Sequence, residues 1–232
     1  MRCRGFTLIE MILTIIVGSI LVLGIAGFVE LGSRGYVDTV SRQRIQTQAQ
    51  FVLEKMTREL RHAVPNSIAI SVDDAAQQCI AFYPIVYSGF YALDEADDKK
   101  LSFIVSNVAG STTSLNFDGL KMIINPSNQN EFSAGIALSG SQTTITLSSP
   151  LTSQSVAQRF YIYRSKVEYC LNYTAHTLTR NLTQVADSLV NGAFAYAVPT
   201  LQRGGVVHLS LGLEQNGEAS HFEQDVQVLN VP

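Results

Sequence analysis

Charged side chains are scarce in this sequence, and neither sign dominates. Lysine, arginine, aspartate and glutamate make up 15% of the 232 residues, and the formal net charge is -3. Nucleic-acid-binding proteins usually carry a cluster of lysine and arginine, and solvating tails are runs of one charge. The composition therefore predicts neither a nucleic-acid partner nor an acidic tail.

The sequence also lacks the short motifs that mark common enzyme sites. No G-x-x-x-x-G-K-[ST] loop is present to hold a nucleotide phosphate, so Asp94-Glu95-Ala96-Asp97, which spells a helicase motif, is a coincidence. No G-x-S-x-G turn presents a serine nucleophile. We therefore predict no enzymatic activity.

Candidate metal ligands are few and scattered. The acidic stretch from Asp94 to Asp98 lacks the glycine and the distal glutamate of an EF-hand loop, and Lys99 and Lys100 follow it. It predicts a solvated turn, with a calcium role as the open alternative. No metal or cofactor is predicted. The histidines, which lack the close spacing of zinc ligands, are His62, His176, His208 and His221.

One long apolar segment stands out against this background. It runs from Met11 to Val29 without a charge and is close to the ~20 residues that an α-helix needs to cross a bilayer. The apolar core of a signal peptide is shorter. Arg2 and Arg4 precede the segment, and the positive-inside rule places them in the cytoplasm. The sequence predicts one membrane crossing, with the bulk of the chain outside the cytoplasm.

Glu10 lies at the edge of this segment, where a carboxylate is expensive. A charge at the centre of a helix in lipid costs roughly 2.5 to 3.5 kcal/mol on insertion scales. We therefore expect the Glu10 carboxylate to have an interaction partner.

The residues around Glu10 carry a family resemblance. Gly5-Phe6-Thr7-Leu8-Ile9-Glu10 resembles the class III signal of type IV prepilins and type II secretion pseudopilins. The resemblance implies that the prepilin peptidase cuts between Gly5 and Phe6, that Phe6 becomes the N-methylated terminus, and that Glu10 acts in assembly. The partner of Glu10 would then be the amine of Phe6, either in the same subunit, four residues away, or in a neighbouring subunit of a filament.

The helical pattern continues beyond the membrane segment to His62, and Pro65 ends it. Opposite charges four residues apart predict the pairs Glu54 with Arg58 and Lys55 with Glu59. Bending or local melting is expected near Gly32 and Gly35, if anywhere, because glycine weakens a helix. A stripe of buried residues is predicted at Val40, Ile45, Ala49, Val52, Met56 and Leu60.

The remainder has the texture of a β-rich domain, with short apolar runs broken by Ser, Thr, Asn and Gly. Together with the helix it predicts an α+β fold, in which an antiparallel sheet packs on the upper helix. The segment 107–151 is expected to be mostly loop. Candidate strands are Ser67 to Val72, Cys79 to Tyr87, Leu101 to Val108, Leu120 to Ile124, Thr143 to Leu147, Arg159 to Leu171, Leu178 to Asn181, Phe194 to Val198, Val206 to Leu213 and Gln224 to Val231.

These patterns divide the chain into four parts. They are a leader peptide at 1–5, the transmembrane half of the helix at 6–30, its extracytoplasmic half at 31–64, and a globular β-rich domain at 65–232.

Cysteine occurs only three times. Cys3 falls in the predicted leader, which leaves Cys79 and Cys170 in an extracytoplasmic domain. A disulfide between them is predicted, and two buried free thiols are the alternative.

A looser resemblance extends downstream. Arg42 to Pro65, Val167 to Cys170 and Leu178 to Arg180 are similar to the minor pilins of the MSHA biogenesis (MshO-like) and PilW-like group. That resemblance implies a subunit that helps initiate or prime a pilus. Its partners would be other pilin and minor pilin subunits, the prepilin peptidase, and the inner membrane with its assembly platform. It would be found in the bacterial inner membrane, with its globular domain in the periplasm, and in the pilus fibre or tip. A pilin-anchored adhesin or ligand-binding tip subunit and a type II secretion minor pseudopilin are the alternatives.

Overall fold

A computed structural model of the protein describes residues 7–73, 76–106, 115–200 and 203–228. Its first element is the helix α1, Leu8–Arg61, which has 54 residues. At 1.5 Å per residue the helix is about 80 Å long. His62 caps its end through backbone hydrogen bonds to the carbonyls of Glu59 and Leu60. The predicted long amino-terminal helix is confirmed.

The helix runs without interruption past its glycines. Local melting at Gly32 and Gly35, which we expected if anywhere, does not occur, since both residues lie within one unbroken α-helix. Helix formation is cooperative, so long flanking segments of good helix formers can absorb the cost of single glycines.

The upper half of α1 buries one stripe against the β-region. The residues predicted from Ile45 to Leu60 are buried, whereas Val40 is exposed, so burial begins at Ser41. Leu53, which the pattern did not include, is also buried. Polar contacts add to this packing: Ser41 binds Asn216, and Arg42 pairs with Glu218 at 3.1 Å.

Fourteen strands follow among the described residues, and they form three antiparallel sheets. Their order is β1-β2-β9-β10-β11 in the first sheet, β12-β13-β14 in the second and β6-β5-β8-β3-β4-β7 in the third. The α+β class is confirmed, whereas the single sheet we expected is replaced by three. The strands are β1 (Ala69–Asp73), β2 (Gln77–Phe82), β3 (Tyr87–Leu93), β4 (Lys100–Val105), β5 (Lys121–Ile123), β6 (Ile136–Ala137), β7 (Thr144–Thr146), β8 (Arg159–Tyr163), β9 (Val167–Asn172), β10 (Thr177–Arg180), β11 (Thr183–Ala186), β12 (Leu189–Ala197), β13 (Val206–Gln215) and β14 (Glu218–Gln227).

Two predicted strands are each divided between different sheets. The run Cys79 to Tyr87 ends as β2 at Phe82, and β3 begins at Tyr87 in the six-stranded sheet. The run Arg159 to Leu171 divides in the same way between β8 and β9. An apolar run is compatible with either sheet, so its composition does not reveal where the chain leaves one for the other.

The described part of segment 107–151 is more ordered than we expected. It contains β5, β6, β7 and a 3-10 helix at Gln129–Ala134. At the end of the chain, β14 begins six residues before the predicted strand, and Val226 and Val228 are both buried, as their alternation predicts. Asn230 and Val231 lie outside the described residues.

The six-stranded sheet belongs to an inserted lobe, which we define as residues 83–166. The chain enters this lobe after β2 and leaves it before β9, and β2 and β9 are neighbours in the five-stranded sheet. The lobe has its own apolar core, which includes Leu101, Phe103 and Phe160. A second core, which contains Ile45, Tyr169 and Leu209, joins α1 to the other two sheets.

Candidate assembly site at the start of the helix

The first turn of α1 is well capped and carries Glu10. The side-chain oxygen of Thr7 accepts a hydrogen bond from the backbone N–H of Glu10 at 3.4 Å. A threonine cap satisfies one of the donors that a helix start leaves open, and an acidic residue in this turn interacts favourably with the helix dipole. The sequence therefore fixes Glu10 in the first turn.

The helix around Glu10 has no protein environment in this chain. Every large apolar side chain from Leu8 to Val29 is exposed, and no residue of the most apolar window is buried. By length and composition the helix can cross a membrane. The fifteen exposed Leu, Ile, Val, Met and Phe side chains between Leu8 and Val29 require an apolar solvent or apolar partners.

Glu10 makes no ion pair or side-chain hydrogen bond with any residue that the structure describes. The next carboxylate along the helix, Glu30, is paired with Arg34 at 2.6 Å. Arg34 itself lies 24 positions from Glu10, about 36 Å along the axis. The described chain therefore offers Glu10 no compensating charge. Gly5 and Phe6, the two predicted processing residues, lie outside the described residues.

Residues 1–26 match the model of the prokaryotic N-terminal methylation motif. This match supports a type IV pilin-like or pseudopilin protein that its amino-terminal apolar helix anchors in a membrane. The motif also implies association with other pilin subunits and with the prepilin peptidase. Pilin-like proteins that carry it are structural subunits and not enzymes.

The match covers the anchor and none of the β-rich region. Beyond it, neither a curated protein nor a solved structure matches the chain. We therefore infer the role of residues 27–232 from their own contacts.

The two cysteines predicted to pair are joined in the structure. Cys79 in β2 and Cys170 in β9 are direct partners across the two strands, with their Cα atoms 4.1 Å apart, and form a disulfide. The bond lies where the chain enters and leaves the inserted lobe. Because 91 positions separate the cysteines, it closes a loop that contains the whole lobe.

The histidines do not come together as a site. His208 contacts Asp225 at 2.6 Å, and His221 contacts Glu223 at 3.2 Å, both on the outer face of the three-stranded sheet. In residues 7–73, 76–106, 115–200 and 203–228, no group of three or more His, Cys, Asp or Glu side chains could hold a metal ion.

The acidic segment after β3 forms the predicted solvated turn. Asp94 accepts a hydrogen bond from the backbone N–H of Ala96 and lies 3.5 Å from Lys100. Asp97 accepts one from the N–H of Lys99. The Ala96 N–H lowers the pKa of Asp94, which is a local effect of the turn.

Sequence patterns did not indicate the polar network that holds the end of α1. The predicted pair of Lys55 with Glu59 is wrong, because Glu59 instead accepts from the Tyr169 hydroxyl at 2.9 Å and pairs with Arg180 at 3.1 Å. The predicted pair of Glu54 with Arg58 is present at 2.7 Å. Glu59 points towards the five-stranded sheet, where these partners, more than 100 positions away, become available.

Proposed function

We propose that the chain is a minor subunit of a type IV, MSHA-like pilus and helps to initiate or prime the filament. Cleavage between Gly5 and Phe6 and methylation of Phe6 would prepare it for assembly. The observation that carries the proposal is Glu10, a carboxylate without a partner in the described chain, at the start of a bare apolar helix whose sequence matches the methylation motif.

The proposed assembly step places Glu10 beside the terminal amine of Phe6 in a neighbouring subunit. Burying a carboxylate in an apolar environment is costly unless a positive charge compensates it. A neighbour with its own processed terminus supplies that charge only when the two helices are aligned. The pairing therefore favours correctly aligned subunits over other arrangements.

The proposed domain organisation follows the same logic. Residues 1–5 are a leader, 6–30 cross the inner membrane, 31–64 contain the periplasmic half of the helix, which ends at Arg61, and 65–232 form the globular domain. The exposure of α1 before Ser41 supports an amino-terminal helix segment that lies outside the globular domain, because burial against the β-region begins at Ser41.

A minor role is supported by the size of the β-region and by its inserted lobe. A subunit that fills a shaft must repeat the same packing many times, and an additional lobe with its own core adds bulk at every repeat. A subunit present once or a few times has more freedom to carry it.

One observation favours the adhesin-like tip subunit as a second candidate. Phe90 and Ile104 are direct partners on β3 and β4 and are exposed at 52% and 68% on the outer face of the lobe. Paired, exposed apolar side chains on a strand face can contact a ligand. A type II secretion pseudopilin would share the anchor and differ in the filament that it enters.

Replacing Glu10 tests the assembly step. Glu10→Val in the full-length chain should leave membrane insertion intact and abolish incorporation into surface fibres, because the compensating contact is lost. Sheared fibres and membrane fractions are compared by immunoblot. Glu30→Val is the matched control, since it removes a carboxylate of the same helix whose partner, Arg34, is in the same chain.

Incorporation of the Glu10→Val protein at the wild-type level would refute the assembly step. Mass spectrometry of the mature amino terminus tests processing separately: a methylated Phe6 is expected, and an intact Met1 would contradict it. Deleting the chain should reduce the number of fibres if it primes assembly. Unchanged fibre number with lost adhesion would favour the tip subunit.

A further inference from the structure

Two hairpins of this protein have the same two-residue turn but differ at its second residue. Asn216-Gly217 joins β13 to β14 with φ angles of 54° and 80°, and Asn181-Leu182 joins β10 to β11 with φ angles of 46° and 68°. Turns with two positive φ angles strongly favour Asn-Gly. Leucine is disfavoured there because its Cβ crowds the backbone in the left-handed region.

The unfavourable residue is also almost completely exposed. Leu182 has 95% of its surface open to solvent, so no contact within the subunit compensates for its conformation. The turn is held firmly: Asn181 donates its N–H to the carbonyl of Glu168 and accepts the N–H of Glu168 on its side chain, both at 2.9 Å. The hairpin therefore presents a leucine on a rigid tip.

A groove on the same molecule has the properties that would accept such a tip. It lies between α1 and β14 and has a volume of 620 Å³. Leu53 and Phe222 supply its apolar lining. Of its two carboxylates, Glu54 pairs with Arg58, and Glu223 contacts His221, which is charged only if protonated. One edge of β14 pairs with β13, and no described strand pairs with its other edge.

Arg164 near the tip and Glu223 at the groove carry opposite charges. Arg164 and Lys166 lie in the exposed turn that leads into β9, the strand to which the tip is hydrogen-bonded. Lys166 pairs with Glu168, whereas Arg164 makes no ion pair with any residue that the structure describes. Opposite charges at the rim of an interface orient the partners.

The positions of tip and groove along the helix allow the contact between parallel subunits. Arg180, next to the tip, binds Glu59, so the tip lies level with the end of α1. The groove lies level with Leu53, about 10 Å lower along the axis. Two copies anchored in one membrane, with one displaced by this distance, would bring tip and groove together.

We propose that the β10–β11 turn of one subunit inserts Leu182 into the groove between α1 and β14 of a second copy. The contact rests on the proposed function, because the shared membrane anchor supplies the parallel orientation. Tip and groove are different surfaces, so each copy can offer its tip to one neighbour and its groove to another. Such a heterologous contact does not close into a dimer, so it can join the few copies of a minor subunit in a short row.

Cysteine cross-linking in native membranes tests the contact. Leu182→Cys and Gln50→Cys, combined in the full-length chain with Cys3→Ser, should give dimers and higher oligomers on mild oxidation, because Gln50 lines the groove. Leu182→Cys alone should remain monomeric. Val156→Cys with Gln50→Cys is the exposed control pair and should also remain monomeric.

Variants of Leu182 separate docking from folding. Leu182→Gly should raise the melting temperature by about 2–4 °C, because glycine adopts a positive φ angle without strain. It should also reduce oligomer formation about tenfold or more, because the apolar side chain that enters the groove is lost. Leu182→Met keeps an apolar side chain and should retain the oligomers. For these measurements the cross-link is placed at Gln50→Cys and Thr183→Cys, because Thr183 is the exposed neighbour of Leu182 and position 182 stays free.

Absence of the cross-link, or a cross-link from position 182 to a different protein, would overturn the second copy as partner. Either result would leave the proposed function intact if incorporation into fibres still depends on Glu10. Loss of incorporation in Leu182→Gly together with normal self-cross-linking would also contradict the proposed contact.

Discussion

At the scale of single residues, Thr57 carries a hydroxyl that is not satisfied. Its Oγ1 is buried and has no hydrogen-bond partner among the described residues. A buried polar atom without a partner costs about 1–3 kcal/mol. Thr57 lies at the groove beside β14, in the half of α1 that packs on the β-region.

Replacing this hydroxyl by a methyl group should stabilise the protein. Thr57→Val keeps the branched shape and is expected to raise the free energy of unfolding by about 1 kcal/mol, measured by denaturant unfolding. Thr47→Val is the matched control, because the Thr47 hydroxyl is exposed and donates to the carbonyl of Gln43; it should change stability by no more than about 0.5 kcal/mol. A destabilised Thr57→Val protein would show that the hydroxyl has a partner.

Glu59 shows why the spacing of charges along a helix can predict the wrong ion pair. Its spacing from Lys55 favours a pair on the helix surface, worth a few tenths of a kcal/mol. The fold instead provides the guanidinium of Arg180 and the hydroxyl of Tyr169 in a partly buried position, where charge-assisted hydrogen bonds are stronger. Burial and the nearby Glu59 carboxylate raise the pKa of Tyr169.

At the scale of elements, the 3-10 helix is attached to β8 through Tyr163. The Tyr163 hydroxyl donates to the carbonyl of Phe132 at 2.6 Å, and its ring packs against Phe132 and Tyr83. Burial, followed by the neighbouring Tyr83, raises the pKa of Tyr163 to about 12.

This raised pKa predicts a loss of stability at alkaline pH. An unfolded tyrosine titrates near pH 10, so between about pH 10 and 12 the folded state holds the proton more tightly and stability falls as pH rises. Tyr163→Phe should cost about 1–3 kcal/mol at pH 7, because the Phe132 carbonyl loses its donor. The difference in free energy of unfolding between the variant and wild type should become smaller from pH 10 to 12 in denaturant titrations. An unchanged difference at pH 11.5 would contradict the role of this proton.

Elements that repeat a simple pattern were predictable, and their boundaries between sheets were not. The stripe from Ile45 to Leu60 has helical spacing, which predicted the buried face of α1 because every turn repeats it. The boundary between β2 and β3 has no such signal. Strand composition reports burial and does not identify the partner strand, which the rest of the chain supplies.

At the scale of the whole molecule, the disulfide joins the two strands that support the inserted lobe. If β2 separates from β9 at the end nearest the lobe, the first three residue pairs, from Phe82–Val167 to Ile80–Tyr169, can open. The Cys79–Cys170 bond then stops further separation of the strands. The bond keeps the base of the lobe together whatever happens within the lobe.

Removing the disulfide should destabilise the protein. In the chain-entropy model a loop of this length contributes up to about 4–5 kcal/mol, so Cys79→Ala with Cys170→Ala should lower the free energy of unfolding by about 2–5 kcal/mol in denaturant titrations. Cys3→Ser in the full-length chain is the control. Unfolding curves that coincide for the double variant and wild type would show that the bond does not constrain the unfolded chain.

The sequence by itself determined the apolar helix, the methylation motif, the α+β class and the two cysteines available for pairing. These features are local or compositional, so neighbouring residues and solvent decide them. The tertiary structure decided the division into three sheets, the partners of Glu59 and the presentation of Leu182 on an exposed turn. Those features depend on contacts between distant residues or on the precise backbone conformation, and no short pattern in the chain specifies either.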